Sequence, residues 1–122
     1  MAKRENLEHK VVWITGASSG IGKALAKECA LQGAQVILTA RRYEELEKVR
    51  VSLLNPERHL SVCADITNES QVLHAYEQVL ARKGRIDWLI NNAGLSQRAL
   101  IADTTMLTER TIMEVDYFSQ VF

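Results

Sequence analysis

The residues best suited to chemistry stand at four seams of the chain. Thr15-Gly16-Ala17-Ser18-Ser19-Gly20-Ile21-Gly22 joins an apolar, β-branched run (Val11 to Thr15) to an alanine-rich stretch that ends at Leu31. Ala40-Arg41-Arg42 follows a second apolar run, Asp65 a third, and Asn91-Asn92-Ala93-Gly94 a fourth. Gly16 lets the chain turn sharply off a strand, because without a Cβ it adopts positive φ at little cost. Gly20 lets backbone approach a bulky anion, and Gly22 removes bulk where a helix presses on its strand. The free N–H groups of that helix's first turn, with the positive end of its dipole, then face the anion. The guest that suits such a loop is a pyrophosphate.

The spacing is Gly-x-x-x-Gly-x-Gly, so the strict G-x-G-x-x-G fingerprint is absent. Lys23 after Gly22 invites comparison with a P-loop. That pattern needs glycine where Ala17 stands and Ser or Thr where Ala24 stands, so it fails twice. At the end of the second run an acidic residue would bond the ribose hydroxyls of NAD and repel a 2′-phosphate. Here Ala40 is followed by two arginines, whose planar guanidinium groups match phosphate oxygens. The alternative is that both are solvated residues at a helix start, and it weighs more on Arg42 than on Arg41.

Thr-Gly-x-x-x-Gly-Ile-Gly after a first strand, with Asn91-Asn92-Ala93-Gly94 after a later one, resembles the short-chain dehydrogenase/reductase family along the whole chain. The resemblance implies a nicotinamide dinucleotide held by Gly16, Ala17, Ser18, Ser19, Gly20, Ile21 and Gly22. It implies that Arg41 goes with NADP(H), and that Asp65 meets the adenine amine with the Ile66 backbone beside it. Asn91, Asn92, Ala93 and Gly94 would lie at the nicotinamide ribose. Asp116 departs from the family, which usually has an asparagine there that supports a proton relay; a plain surface or helix-kink carboxylate suits it as well.

To position these seams the chain must alternate strands and helices. The apolar runs predict strands at 11–15, 35–39, 60–64 and 86–91, the last buried on both faces at Trp88, Leu89 and Ile90. Between them lie helices at about 20–31, 43–54 and 70–83. The second carries a stripe of Leu46, Val49, Leu53 and Leu54, and the third a face of Val72, Tyr76, Val79 and Leu80. Gly33, Asn55-Pro56 and Gly84 are the stops, and Thr67 and Asn68 are capping candidates for the third. Such alternation means an α/β, Rossmann-type doubly wound parallel sheet, and right-handed crossovers give the strand order 3-2-1-4. After a loop, a last helix is expected from Thr108, with Ile112, Val115, Ser119 and Phe122 on one side.

Composition excludes several classes of function. Fifteen basic residues balance 15 acidic ones, so nothing points to nucleic acid or an anionic membrane surface. No apolar run nears the roughly 20 residues that span a bilayer, and 1–10 read as a polar lead-in without a signal-peptide core. Cys29 and Cys63 lack metal-site spacing and read as buried thiols of a cytoplasmic protein. His9, His59 and His74 group with no nucleophile and form no metal site, and Lys23 reads as solvated.

The family's catalytic Ser and Tyr-x-x-x-Lys do not occur in these 122 residues. Tyr43, Tyr76 and Tyr117 have Glu47, Leu80 and Val121 four positions on. The expectation is therefore that 1–122 form the NADP-binding, N-terminal part of a longer single-domain enzyme and are inactive alone. If the chain ended here, strand 86–91 would be an apolar sheet edge, which natural sheets avoid. The whole is expected to be a homodimer or homotetramer that acts on a small carbonyl or alcohol. A non-catalytic dinucleotide-binding module is the alternative, and a downstream Tyr-x-x-x-Lys decides between them.

Overall fold

The computed structural model describes residues 7–18 and 20–92 and the backbone of 113–115. Its strands are β1 (Val11–Thr15), β2 (Gln35–Ala40), β3 (Leu60–Cys63), β4 (Trp88–Asn91) and β5 (Met113–Val115). Helices α1 (Gly20–Leu31), α2 (Tyr43–Val51) and α3 (Glu69–Lys83) lie between them. The five strands form one parallel sheet in the order β3-β2-β1-β4-β5. The first four therefore stand in the expected order, 3-2-1-4.

Alternation along β1 explains the layering. Val12 and Ile14 join Ala26, Cys29 and Ala30 of α1 and Leu46 and Val49 of α2 in one core. Val11 and Trp13 point the other way and join Val72, Ala75, Tyr76 and Val79 of α3. A strand buried on both faces reads as a near-continuous apolar run, and Val11–Ile14 of β1 and Val36–Leu38 of β2 do. Each fully buried Val, Ile or Leu contributes about 1.5–3 kcal/mol. Trp13 needs more than burial, since its N–H must find a partner. It donates to Thr39 Oγ1 on β2 at 2.7 Å, and its ring stacks on Tyr76 at 6.4 Å between centroids.

The ends of the helices follow their residues. Asn68 is the N-cap of α3 and accepts from the Gln71 N–H at 3.1 Å; Gly84 closes it in the left-handed conformation. α2 stops at Val51, three residues short of the expected end, where Ser52 turns its hydroxyl onto the Val49 carbonyl at 2.6 Å. The chain tightens there, so Leu53 still reaches the core while Leu54 faces solvent, against the expected stripe. Asn55, with φ 56°, then leads into a single 3₁₀ turn at Pro56–Arg58.

Two further expectations are corrected. The lead-in is not uniformly polar and solvated: Leu7 is buried against the α1 core, and His9 donates its backbone N–H to Gly33 O. Residues 113–115, expected within a helix, form a strand parallel to β4, with Trp88, Leu89 and Ile90 opposite Met113, Glu114 and Val115. β4 is therefore not an edge. Pairing with an exposed ladder outweighs the local helical spacing, as strand formation depends on its neighbours. The rest of the expected helix lies outside the described residues.

Candidate functional site

Every strand of a parallel sheet leaves its layer at the same end, so the seams singled out in the sequence converge in space. A cleft of about 570 Å³ opens at the carboxyl ends of β1, β2 and β3. Gly16 and Ser18 line it from the turn after β1, and Thr39, Ala40, Arg41 and Arg42 from the end of β2, with Glu45 of α2. Ala64, Asp65, Ile66 and Thr67 line it from the turn after β3.

The three glycines have distinct environments. Gly16 turns the chain off β1 with φ +66°, where a Cβ would press on the backbone of Asn92 at 3.2 Å. Gly22 is buried behind the turn, and a Cβ there would collide with the Gly16 carbonyl oxygen and meet Ala17 Cα and Asn92 Nδ2 at 3.0 Å. Gly20, at φ +47°, has nothing within 4 Å of where its Cβ would be. Ala17 is fully buried beneath the turn and donates its N–H to Thr39 O, while Ile21 is exposed on the first turn of α1. Ser19 lies outside the described residues.

The asparagines serve the turn from behind. Thr15 Oγ1 donates to Asn91 Oδ1 at 2.9 Å and accepts the Asn92 N–H at 3.2 Å. Asn92 Nδ2 donates to Gly16 O at 3.2 Å. The exit of β4 is thereby tied to the exit of β1, and neither asparagine lines the cleft. Ala93, Gly94 and Asp116 lie outside the described residues.

At the far wall Asp65 is fixed by its own turn. Its Oδ1 accepts from Thr67 N at 3.0 Å and Thr67 Oγ1 at 2.7 Å, while its N–H donates to Gln71 Oε1. These bonds from Thr67, with a smaller contribution from Arg41, hold the carboxyl below its usual pKa. Asp65 does not cap α3, because Asn68 does. Arg41 and Arg42 are exposed, and their guanidinium groups make no hydrogen bond or ion pair among the described residues. Cys63, expected inside, is exposed at the end of β3 and donates its thiol to the Arg41 carbonyl at 3.0 Å. Cys29 is buried, and burial raises its pKa to about 11.

Sequence reasoning gave Thr15 and Glu45 no role of their own and took Thr67 for a capping candidate of α3, where Asn68 is the cap and Thr67 instead bonds Asp65. Glu45 had a signal, as an acid in the first turn of the helix that follows Arg41 and Arg42. The roles of Thr15 and Thr67 depend on neighbours across the sheet or within a turn.

A family model described as short chain dehydrogenase matches residues 10–122. The chain belongs to the short-chain dehydrogenase/reductase family. Among curated relatives it is 41% identical over 120 residues to human "Dehydrogenase/reductase SDR family member 7", covering 94% of this chain and 35% of that protein. It is 40% identical over 122 residues to the fatty acyl-CoA reductase of Acinetobacter baylyi, covering 97% and 41%. Among solved structures, a short chain dehydrogenase from Bacillus anthracis superposes with a TM-score of 0.79 at 30% identity, over 85% of this chain and 51% of that one. A 3-ketoacyl-(acyl-carrier-protein) reductase from Brucella melitensis, complexed with NADH, gives 0.67 at 42% identity, over 73% and 36%. The chain thus spans well under half the length of the curated relatives named here.

Proposed function

We propose that this chain is the nucleotide-binding part of an NADP(H)-dependent oxidoreductase that exchanges a hydride between the nicotinamide and a small carbonyl or alcohol. When bound, the nicotinamide supplies or accepts that hydride. The observation that carries the cofactor choice is the end of β2. Ala40 stands where a carboxylate would favour NAD, and Arg41 and Arg42 line the cleft with their guanidinium groups uncommitted. A bidentate fork without a protein partner is suited to phosphate oxygens.

The rest of the cleft fits a dinucleotide. Gly20 leaves its Cβ direction open, so an anion can approach the backbone at the start of α1, where the helix dipole is favourable. In this reading Gly16, Ala17, Ser18, Ser19, Gly20, Ile21 and Gly22 hold the pyrophosphate, and Arg41 the 2′-phosphate. Asp65 accepts from the adenine amine with Oδ2, since Oδ1 is taken by Thr67, and Ile66 lies beside the ring. Asn91 and Asn92 act by fixing the turn, and with Ala93 and Gly94 border the nicotinamide ribose. Two free thiols, one inside and one at the surface, support a reducing, cytoplasmic setting.

Cofactor titration of the full-length protein tests the proposal. NADP(H) should bind more tightly than NAD(H), and Arg41→Ala should remove the difference. One charge-assisted phosphate contact is worth about 1.5–3 kcal/mol, or about ten- to a hundredfold in affinity. Equal affinities in the unmutated protein would refute the choice of NADP(H).

A further inference from the structure

The wall that carries Arg41 and Arg42 also carries a carboxylate. Glu45 lines the same cleft from the first turn of α2. Its one ion-pair partner among the described residues is Lys48, at 3.6 Å, and the two side chains are 45% and 75% exposed. A pair so long and so exposed neutralises the carboxylate only in part. Asp65, the other acid of the cleft, differs because Thr67 engages one of its oxygens.

We infer that Glu45 tempers the preference of this cleft for a 2′-phosphorylated nucleotide, opposing the charge that Arg41 and Arg42 attract, with Lys48 as its partial counterion. The inference rests on the 2′-phosphate reading above and adds a residue that sets its strength. A carboxylate in the same cleft as two guanidinium groups lowers the local positive potential, and a phosphate that joins them meets its repulsion. The effect is modest, because exposed charges interact through water and salt. The ordinary role of an acid in a first helical turn is to complement the helix dipole. That role stabilises α2 equally whichever nucleotide is present, so the two are separable.

Calorimetric titration of the full-length protein with 2′,5′-ADP and with 5′-AMP separates them. Glu45→Gln should tighten 2′,5′-ADP about threefold and leave 5′-AMP unchanged. Lys48→Met, which uncovers the carboxylate, should weaken 2′,5′-ADP about twofold. Both changes should fade in about 1 M salt, where the screening length falls to about 3 Å. If the unmutated protein prefers 2′,5′-ADP but Glu45→Gln shifts both nucleotides alike, or neither, the inference is overturned and the function stands. If the unmutated protein binds the two nucleotides equally, the 2′-phosphate reading itself falls.

Discussion

The two ends of this sheet are built on opposite terms. At the amino ends of the strands the charged and polar groups are matched with protein partners. Asp87 Oδ2 accepts from the Val11 N–H and from Arg85 Nε, both at 2.8 Å, and Arg85 also reaches His9 O. Lys83 donates to Gln35 Oε1 and Arg58 O. His59, buried just before β3, accepts the Val36 N–H on Nδ1 at 3.0 Å, while Nε2 meets Leu54 O at 2.8 Å. Since β3 pairs with β2 only from Leu60 opposite Ile37, the ring nitrogen takes the place that a ladder carbonyl would have next. At the carboxyl ends the guanidinium groups of Arg41 and Arg42 have no such partner among the described residues, and Gly20 faces open space. The amino end ties its charged groups into the fold, whereas the carboxyl end leaves two guanidinium groups without a hydrogen-bond partner among the described residues.

The sharpest way to break this contrast is to fill the two glycines of one turn. Gly22→Ala places a methyl group against Gly16 O, Ala17 and Asn92, and should cost about 3 kcal/mol by denaturant unfolding, the upper range for overpacking. Gly20→Ala meets nothing, so only its positive φ matters, at about 1 kcal/mol. If Gly20 faces the guest, its variant should lose nucleotide affinity out of proportion to that cost. Equal stability losses in the two variants would show that the packing behind the turn is not decisive.

At the opposite end His59→Leu should remove about 2 kcal/mol, because it strands the Val36 N–H inside the protein. The ratio of NADP(H) to NAD(H) affinity should not move. Only the neutral ring can accept from Val36 while donating to Leu54. Burial first, then the positive charges of Arg58, Lys83 and Arg50, hold its pKa below the ordinary 6.5, against the opposing Leu54 bond. The unfolded chain takes up a proton near pH 6.5 that the folded chain refuses. His59's contribution is therefore complete above that pH and declines below it, by up to about 1.4 kcal/mol per unit. In His59→Leu this part of the pH slope should vanish, with the carboxylate-driven loss at lower pH left in place.

The smallest effect expected is at the cap of α3. Asn68→Ala should cost about 1 kcal/mol through the Gln71 N–H. Asp65 should keep its turn with Thr67, so nucleotide affinity should hold. A fall in affinity to match the fall in stability would show that the cap also holds Asp65, through Gln71 Oε1 and the bond from the Asn68 N–H to the Asp65 carbonyl.

What could be read in the sequence was what depends on neighbours along the chain. The alanine-rich stretch and the stop at Gly33 placed α1 at Gly20–Leu31, and the order of the first four strands followed from handedness. Gly16, Ser18, Arg41, Asp65 and Ile66 do share one cleft, because each lies in a turn at the carboxyl end of a strand of one parallel sheet. What failed depends on neighbours across the sheet. Nothing beside His59 in sequence says that β2 will offer it an N–H, whereas the order 3-2-1-4 had already made β3 an outer strand whose end can leave Cys63 exposed. Leu7 alone carried a signal, as the one aliphatic side chain between Lys3 and Lys10. The strand at 113–115 reflects the unfilled side of β4, which no local pattern encodes.

The bonds from Thr15 to Asn91 and Asn92 have a consequence in time as well as in space. They join residues 76 and 77 positions apart, whereas the turn after β1 and the end of β2 face each other across a single βαβ unit. Contacts of long sequence separation form late, since the chain must give up loop entropy before parallel strands gain anything. As the chain folds, the arginine-bearing wall can therefore assemble while the floor of the turn is still open.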